Sequence, residues 1–386
     1  MDNLTNSCRI HLRLPVFSEA VVFLLIFCSS FGILAHIMGP VHFIHTLMAT
    51  AYHLLMDTVF DLMAILVLTG ALSALLVEFG VVALLNRLMA PIMKPLFRML
   101  GASAMGPVTT YLSDNPAVMT LAEDPKFRSC FQPEQLAALS NLSTSFGMGL
   151  VVSAFMLALR PGMSLAVLAG NLGAVVGAVC ATRLMLRSLR KHPAPLHPAS
   201  SPASPSQETA PKGHLGERIL SALLRGRRNG VDMGLSMIPG VLIICSLVML
   251  LTGTPGPDGS YTGAAFEGVP LLLWLGQKLN GILCPLFGFS SPQVLAVPVT
   301  AMGSAGAAIS LVPQLLEQGL ASGVDVAVIT AMCMCFSGYL STQSTVMTRI
   351  GLSHLAGRAM AFQTVGGITA GIAAHLLYEL LTHVPL

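Results

Sequence analysis

The sequence predicts an all-α polytopic membrane protein with about 8–10 membrane segments, arranged in two related repeats. Composition is the first reason: of 386 residues, 54% are hydrophobic and only 10% are charged, and the mean hydropathy is +0.76. A soluble domain carries roughly 25% charged residues, so this chain lacks the polar surface needed to face water. Second, apolar runs of roughly 20 residues, the length that crosses a hydrocarbon core, recur along the chain. Third, a polar decapeptide occurs twice, which predicts a re-entrant or interrupted helical hairpin in each repeat.

The first half holds four predicted spans and two weaker apolar segments. Residues 43–56 are shorter and amphipathic, which predicts an interfacial or partly inserted helix. Residues 81–100 carry three basic side chains and two prolines, so they are expected to lie or bend at an interface. The last two spans are rich in small residues, which allow close helix packing in lipid. The predicted spans are 17–38, 60–80, 136–159 and 163–186.

A stretch rich in Pro, Ser and Ala separates the halves and shows no apolar periodicity, so it predicts a disordered linker. Residues 183–228, which include this stretch, hold 9 of the chain's 20 Lys and Arg residues. The positive-inside rule therefore places the linker in the cytoplasm, and the net charge of +3 does not indicate a nucleic-acid partner. The predicted domains are an N-terminal transmembrane helix at 1–40, a first repeat at 41–186, the linker at 187–217 and a second repeat at 218–386.

The second half continues with two long apolar runs and several shorter segments. Residues 231–253 and 359–381 are predicted spans. The loop at 253–268 has two acids and no Lys or Arg, so it is expected to face outside. The remaining apolar segments, which are amphipathic or interrupted by Gly, are 269–288, 291–316 and 324–340.

The repeated decapeptide reads YLSDNPAVMT at 111–120 and YLSTQSTVMT at 339–348. Six of the ten positions are identical, and Asn115 aligns with Gln343, its homologue by one methylene. Both copies are polar in the middle, within an otherwise apolar chain. Non-helical backbone inside a bilayer is tolerated only where it is buried in protein or lines a wet cavity. The pair therefore predicts two helix interruptions at corresponding places.

Two further matches occur in the same order and indicate an internal duplication. PLF at 95–97 recurs at 285–287, and Asp61 aligns with Asp232 near the start of a span. The offsets in numbering differ: 171 for the aspartates (232 − 61), 190 for the PLF pair (285 − 95) and 228 for the decapeptides (339 − 111). The copies are therefore expected to differ by insertions, chiefly within 291–330.

The matched interruptions predict a transport site for a small polar solute. Interrupted helices at corresponding places in two halves are the best sequence pointer to a transporter's substrate site. Asp114 is an ionisable group expected at membrane depth, so it is the leading candidate for coupling to Na⁺ or protons. Asp61 and Asp232 are further ion-coupling candidates, although their positions near the starts of spans favour helix caps. The candidate substrate-binding residues are Ser113, Asp114, Asn115, Thr120, Ser341, Thr342, Gln343, Ser344 and Thr348.

The segments PLFRMLG and YLSDNPAVM, and later CPLFGF and YLSTQSTVM, resemble the nucleoside-recognition (Gate) domain superfamily of membrane proteins. That group includes concentrative nucleoside transporters, the membrane part of ferrous-iron transporters and spore-maturation membrane proteins. The resemblance covers most of residues 43–386 and implies two repeats of opposite orientation, whose re-entrant hairpins meet at a midplane site. It also implies a bacterial cytoplasmic (inner) membrane protein that forms a homo-oligomer, because nucleoside carriers of this type are trimers.

Departures from this resemblance leave two alternatives to a secondary transporter. The iron-transporter Gate places a Cys just before its Asn-x-Pro run, whereas Ser113 and Asp114 stand here, which weakens the reading as a divalent metal-ion permease. A non-transporting membrane scaffold or assembly factor is the other alternative. MCMC at 332–335 suggests a soft-metal site, but Cys333 and Cys335 would point to different faces of a helix. The pair His42 and His45 has no further ligand nearby, and no activated nucleophile stands out. No metal site, cofactor or enzyme activity is therefore predicted.

Overall fold

All regular secondary structure in the described part of the chain is helical. The computed structural model of the protein describes residues 14–113, 130–191, 214–256 and 258–383. Within these ranges seven helices are long and apolar enough to cross a membrane, and a pair of helices bent by 80° adds an eighth if it counts as one span. The predicted all-α polytopic membrane fold is confirmed. In the described residues the count of spans is one below the expected range of 8–10, and it reaches the lower edge when the bent pair is included.

The helices of the first half follow the predicted spans with one difference. They are α1 (Leu14–Met38), α2 (Pro40–His53), α3 (Phe60–Glu78), α4 (Val81–Phe97), α5 (Met105–Leu112), α6 (Pro133–Thr144), α7 (Gly149–Leu159) and α8 (Ser164–Lys191). The segment 43–56, predicted as a short interfacial helix, belongs instead to a 39-residue helix. A π-helical turn at Leu54–Val59 carries α2 into α3 without a break. This helix begins at Pro40, whose fixed φ suits a first turn.

The helices of the second half depart from prediction at the repeated decapeptide. They are α9 (Leu215–Gly240), α10 (Ser246–Thr252), α11 (Leu271–Phe287), α12 (Ala296–Gly303), α13 (Ala305–Ile309), α14 (Val312–Glu317), α15 (Gly323–Phe336), α16 (Tyr339–Arg349) and α17 (Ala356–His383). The predicted span 231–253 is longer, because a π-helical turn joins α9 and α10 into 38 residues. YLSTQSTVMT, predicted as a hairpin tip, forms α16 instead. It is the second part of a broken span of 27 residues, Gly323–Arg349.

The helix starts of the second half repeat those of the first at a nearly constant offset in numbering. α11 begins at Leu271 and α4 at Val81, an offset of 190 (271 − 81). The offset is 190 for α6 and α15 (323 − 133), 190 for α7 and α16 (339 − 149), and 192 for α8 and α17 (356 − 164). The PLF pair agrees with this series, whereas the offsets of the aspartates and the decapeptides do not. The expected insertion within 291–330 is therefore not needed to align the halves.

A second sequence match becomes visible at this offset. PVT occurs at 107–109 in α5 and at 298–300 in α12, an offset of 191 (298 − 107). The same register places 339–348 opposite 149–158 in α7, and not opposite 111–120. The two decapeptides therefore occupy non-equivalent places, and their likeness does not mark the repeat.

Unusual backbone conformations recur at the same offset. Arg98 and Gly288 end α4 and α11 in the left-handed region, at φ +58° and +66°. Met148 and Gly338 form a second pair in this register, at φ +55° and +67°, and each stands at the break of a span. Non-glycine residues rarely adopt this region, because Cβ approaches the following carbonyl oxygen. Its recurrence indicates that the two halves share a backbone path as well as helix lengths.

The equivalent helices α8 and α17 cross antiparallel through small residues. A Cβ built on Gly177 would lie 2.5 Å from the carbonyl oxygen of Gly366, and one on Gly173 would lie 2.7 Å from that of Ala370. Contacts move down α17 as they move up α8, so the helices are antiparallel. Backbones this close leave no room for a larger side chain. Equivalent helices that meet antiparallel are what two repeats of opposite orientation produce.

Glycines also bring α3 and α9 into backbone contact. A Cβ on Gly226 would lie 2.4 Å from the carbonyl oxygen of Gly70, and one on Gly230 would lie 2.4 Å from that of Leu66. This crossing is antiparallel as well. It holds α3 against α9.

The two ends of the helix bundle differ in charge. At one end, Arg218 Nε and Arg225 Nη2 each donate to the Glu78 carboxylate, at 3.0 and 2.8 Å. We call this the arginine-rich end. At the other end, residues 253–270 connect α10 to α11. We call this the loop end.

Candidate functional site

Two spans are broken at equivalent positions, and both breaks lie inside the protein. α6 and α7 separate at 145–148, and α15 and α16 separate at 337–338. Met148 is 4% exposed and Ser337 is 6% exposed. Because lipid cannot satisfy the freed backbone groups, such breaks require cover from protein or a wet cavity. The breaks are therefore the places where polar chemistry is expected.

The helix before the first break carries a buried polar stretch, SNLSTS at 140–145. Its hydroxyl and amide side chains are at most 1% exposed, and they belong to Ser140, Asn141, Ser143, Thr144 and Ser145. Ser140 Oγ donates to Gln343 Oε1, and Gln343 Nε2 lies 3.4 Å from Thr144 Oγ1. Gln343 is itself fully buried. α6 and α16 thus meet through polar groups.

A second amide joins the same stretch to α17. Asn141 Nδ2 donates to Gln363 Oε1 at 3.0 Å and to the carbonyl oxygen of Ala359 at 2.9 Å. Gln363 Nε2 donates to Ser145 Oγ at 3.0 Å and to the carbonyl oxygen of Cys335 at 2.7 Å. The carbonyl of Cys335 lies just before the second break, so this amide ties the two breaks together.

Two buried oxygens of the polar stretch have no hydrogen-bond partner among the residues that the structure describes. They are Asn141 Oδ1 and Ser143 Oγ. Both residues are 0% exposed. Leaving such an acceptor unpaired costs about 1–3 kcal/mol. Unpaired buried acceptors call for an explanation, and a bound polar ligand is one.

A matching polar cluster lies in the first half. Tyr111 Oη donates to Asn171 Oδ1 at 3.0 Å, and Asn171 Nδ2 donates to Ser153 Oγ at 2.9 Å. In the register of the repeat, Asn171 corresponds to Gln363, and Ser153 corresponds to Gln343. Both halves therefore place an amide on their last long helix and a polar side chain on the broken span.

The polar stretch at 140–145 and the amides of Asn171 and Gln363 were not predicted as part of the site. Residues 136–159 were interpreted as an ordinary span rich in small residues. A signal was present, because 140–145 holds five polar side chains inside an apolar segment. Tyr111 belongs to the first decapeptide but had no assigned role.

The predicted site residues fall into three groups. Asp114, Asn115 and Thr120 lie outside the described residues, as does the side chain of Asp61. Thr342 and Gln343 are buried, at 8% and 0% exposure. The others are at least partly exposed, and they are Ser113 at the end of α5, Ser341, Ser344 and Thr348 on α16, and Asp232 on α9. The meeting of the two decapeptides at one site stays a prediction.

A cavity of about 380 Å³ opens at the arginine-rich end between α3, α5, α7 and α9. It begins beside Glu78 and Arg225 and reaches as deep as Leu66 on α3. This length of helix, about twelve residues, spans roughly 18 Å. Ser113 and Ser73 bring hydroxyl groups to the cavity wall, which is otherwise mostly apolar.

A cavity of about 620 Å³ opens at the loop end between α2, α3, α7 and α14. His53, Asp57 and Glu317 bring titratable groups to its rim, where His53 Nδ1 lies 2.7 Å from Asp57 Oδ2. Gln314 and Ser310 also line it. Both cavities fall within the roughly 300–1,000 Å³ typical of small-molecule sites.

The two cavities are lined by neighbouring residues of the same two helices. On α3, Leu66 lines the cavity at the arginine-rich end and the adjacent Ile65 lines the one at the loop end. On α7, Val151 lines the first and Phe155 the second. This step along α7, one turn of helix, corresponds to about 6 Å.

The loop end also carries an acid held by several donors. Glu267 accepts hydrogen bonds from the backbone N–H groups of Thr262 and Gly263, both at 3.0 Å, and from the Thr262 hydroxyl at 2.6 Å. Burial of Glu267 raises its pKa, but these hydrogen bonds lower it more, so the pKa lies below the ordinary carboxyl value. The ionised carboxylate therefore organises the 253–270 loop.

A metal centre finds no support among the residues that the structure describes. No group of three or more His, Cys, Asp and Glu side chains in those ranges is arranged to hold a metal ion. Cys333 and Cys335 of the MCMC segment are both buried. Cys335 Sγ instead lies 3.7 Å from the carbonyl oxygen of Ser145, its equivalent in the first half.

Comparison with known proteins identifies the fold. No protein-family model matches the chain, and no curated protein matches it. A double variant of the concentrative nucleoside transporter CNTnw, solved in an outward-facing state, matches with a TM-score of 0.54 at 14% identity, over 96% of this chain and 86% of that one. CNTnw in an inward-facing substrate-bound state matches with a TM-score of 0.52 at 14% identity, over 82% and 75%.

At this identity the likeness concerns the fold alone. The chain has the fold of a polytopic membrane transporter, and the expected resemblance to concentrative nucleoside transporters is confirmed at that level. The resemblance to ferrous-iron transporters and spore-maturation proteins stays a prediction. Together with the apolar helices, the fold makes the chain an integral membrane protein.

Proposed function

We propose that this protein is a secondary transporter that moves a small polar solute across the membrane by alternating access. The observation that carries the proposal is the pair of cavities, which open at opposite ends and are lined by residues within one helical turn of each other on α3 and α7. A small movement of α7 against α3 closes one cavity and deepens the other. Fold likeness to CNTnw in both outward-facing and inward-facing states supports this movement.

The solute is a nucleoside or another small polar metabolite. The side chains at the two breaks are neutral amides and hydroxyls, which suit hydrogen bonding to an uncharged polar molecule. Asn141 Oδ1 and Ser143 Oγ are acceptors that a bound solute would satisfy. The predicted tip residues Ser113, Asp114, Asn115 and Thr120, with Ser341, Thr342, Gln343, Ser344 and Thr348 of the second decapeptide, are proposed as further contacts.

Coupling to Na⁺ or protons is part of the proposal. Asp114 is the leading coupling residue, and Asp61 and Asp232 are further candidates. Oxygen atoms are the ligands that hard cations prefer, and carboxylates such as these would supply them. Transport driven by an ion gradient would then need no nucleotide site.

The arginine-rich end is proposed to face the cytoplasm. Arg218 and Arg225 stand there, directly after the linker at 187–217, and basic residues next to spans are retained on the cytoplasmic side. The loop end then faces outside. The 253–270 loop, with its acids and no Lys or Arg, agrees with this orientation. A homo-oligomer in a bacterial cytoplasmic membrane remains the expected assembly.

Uptake into proteoliposomes tests the proposal. Purified protein in vesicles with an inward Na⁺ or proton gradient is expected to accumulate at least one labelled solute from a panel of nucleosides, organic acids, amines and metal ions. Asn115→Ala and Gln343→Ala are expected to reduce uptake by at least about tenfold, the loss that one or two hydrogen bonds to the solute would cause. Uptake by both variants at the wild-type rate would contradict the proposed substrate site at the two decapeptides.

A matched pair of bulky substitutions tests the proposed path. Val151→Trp places a large side chain in the lining of the cavity at the arginine-rich end, one helical turn from the lining of the other, and is expected to block transport. Leu157→Trp is the control, because Leu157 lies on the same helix but is 48% exposed to the surroundings. Equal transport by the two variants contradicts the proposed path. No uptake of any solute, with a stable protein partner on purification, would favour a scaffold, and uptake confined to divalent metals would favour a permease.

A further inference from the structure

We propose that His375 and Glu379 form a proton-binding site that controls how firmly α11 and the bent segment after it are held. His375 is on α17 and is 7% exposed. Its Nδ1 lies 3.1 Å from the carbonyl oxygen of Leu286, and its Nε2 lies 3.1 Å from Glu379 Oε1. Neither residue was a predicted site residue, and the proposed transport path does not include them.

The geometry requires one proton more than neutral histidine and ionised glutamate supply. A carbonyl oxygen only accepts, so the bond to Leu286 needs a hydrogen on Nδ1. An ionised carboxylate also only accepts, so the bond to Glu379 needs a hydrogen on Nε2, or else the carboxyl must carry it. Both bonds therefore form only when the His375–Glu379 pair holds this extra proton. When the proton leaves, the ring keeps a single N–H. A bond from Nε2 to the ionised Glu379 carboxylate is charge-assisted and stronger than one to a neutral carbonyl, so the bond to Leu286 is the one that is lost.

The same position in the first half is occupied by arginine. In the register of the repeat, Arg183 corresponds to His375, and Leu96 corresponds to Leu286. Arg183 Nε donates to the carbonyl oxygen of Leu96, and its Nη2 donates to that of Pro95, both at 2.9 Å. Each half thus places a nitrogen-bearing side chain on the last carbonyls of its amphipathic helix, where such groups lack helix partners. Arginine is always protonated, whereas histidine titrates between about pH 5 and 8.

The bond to Leu286 lies where α11 ends and the chain bends. α11 is capped by Gly288 in the left-handed region, and the following helical segment, Pro292–Gly303, is inclined by 80° to α11. The His375 ring packs on this turn, since a Cβ on Gly288 would lie 2.5 Å from Nε2. Loss of the proton therefore loosens the turn, while the equivalent turn of the first half stays held by Arg183.

Other titratable groups around His375 are already engaged. On α15, Asp325 accepts from the backbone N–H groups of Ser290 and Ser322. On α17, His383 Nδ1 bonds to the carbonyl oxygen of Glu379, and the Tyr378 hydroxyl lies against Gly323. On α8, Gly173 lies against Ala374, next to His375, and residues 169–177 around it carry no titratable side chain. At the end of α11 the titratable group is the exposed Cys284 thiol. Glu379 is the carboxylate that faces the ring.

Hydrogen exchange of the full chain in detergent tests the proposal without any solute. After correction for the intrinsic rate, amides at 284–292 are expected to exchange at least about tenfold faster at pH 8.5 than at pH 6, because one bond to a charged group has been lost. Amides at 94–101, held by Arg183, are the internal control and are expected to show no such change. Exchange at 284–292 that is independent of pH would overturn the proposal.

Two variants separate the shared proton from general loosening. His375→Arg copies the first half and is expected to remove the pH dependence while keeping the turn protected. Glu379→Gln supplies an amide N–H that can donate to Nε2 of a neutral His375 ring. This variant is also expected to remove the pH dependence of exchange at 284–292. Glu379 is 56% exposed, so this variant should fold even if His375→Arg does not. The wild-type pH dependence persisting in Glu379→Gln would contradict the assignment.

Discussion

At the scale of residues, buried amides take the place of charges in holding the centre of this membrane protein together. Gln363 reaches Asn141, Ser145 and the carbonyl of Cys335 from a single side chain. Each bond is worth little by itself in a membrane, because the unfolded chain also finds partners there. Their combined effect is to fix the two broken spans relative to each other. These residues determine how the broken spans are arranged more than they stabilise the fold.

Replacing Gln363 with Leu should therefore destabilise the protein. The substitution leaves three groups without their partner, and the expected loss in the free energy of unfolding is about 2 kcal/mol, from roughly 0.6 kcal/mol per bond. Thr382→Val on the same helix is the control, because that hydroxyl bonds only to carbonyls of its own helix. Denaturant unfolding in detergent measures both. Equal stabilities of the two variants would show that the amide bonds contribute nothing measurable.

Glu267 gives a pH-dependent contribution with a defined sign. Its pKa is lowered in the folded protein, so the ionised form stabilises the fold. That stabilisation is complete above the ordinary carboxyl value of 4.5 and is lost as the pH falls through the folded value. Glu267→Gln should lower the unfolding temperature at pH 7, and the difference from wild type should shrink below about pH 4. Asp258→Asn, an exposed acid of the same loop, should behave like wild type throughout.

At the scale of helices, backbone contact between glycines determines which helices pair. α3 with α9 and α8 with α17 touch where no side chain intervenes. In lipid there is little hydrophobic force between helices, so close van der Waals contact between backbones is what drives association. The abundance of Gly in this chain, 36 residues, has its structural reason here.

Gly226→Ala tests this contact, and a second glycine on the same helix provides the opposite outcome. The added Cβ would lie 2.4 Å from the carbonyl oxygen of Gly70, so the helices must separate. We expect the unfolding temperature in detergent to fall. A Cβ on Gly216 meets nothing within 4 Å, so Gly216→Ala should be neutral or stabilising by up to about 1 kcal/mol through helix propensity. The same sign for both variants would refute the role of the crossing.

Helix existence could be predicted from the sequence, whereas the alignment of the repeats could not. The spans and the PLF pair follow from apolar length and an identical triplet. The second decapeptide misled because its Ser and Thr residues, of which Ser341, Ser344 and Thr348 are exposed, resemble an interruption in composition. Pro116 in the first copy removes a backbone donor, but the second copy has Ser344 there, and its backbone continues as α16. The true register rests on PVT at 107–109 and 298–300, too short a match to stand out.

The same limit applies to the candidate site. The prediction that polar groups gather at interrupted helices directs attention to Gln343, which is buried at the contact with α6. It could not find Gln363, because a single Gln in a Gly-rich span carries no local signal. Only the fold brings Asn141 and Gln363, which are far apart in the sequence, into contact. The pairing of His375 with Arg183 across the repeat likewise requires the register, and hence the structure.

At the scale of the whole molecule, the two cavities are lined by neighbouring residues of α3 and α7, and from this we predict a linked motion. Ser73 lines the cavity at the arginine-rich end, and Gln314 lines the one at the loop end. If the protein alternates between two states, opening one cavity must close the other. A ligand that binds one of the two states more tightly raises the population of that state, so it opens one cavity and closes the other at the same time. A rigid scaffold has no such linkage.

Site-directed labelling distinguishes these cases. Ser73→Cys and Gln314→Cys are introduced separately after four native cysteines are changed to Ser. Three of them, Cys28, Cys130 and Cys284, are the exposed ones in the described part of the chain, and the fourth, Cys8, lies outside it. A maleimide that does not cross membranes then reports how open each cavity is in oriented vesicles. Adding a nucleoside mixture, with or without Na⁺, should raise the labelling rate at one position and lower it at the other. A change in the same direction at both positions, or at neither under any gradient, would show that the cavities are not two states of one path.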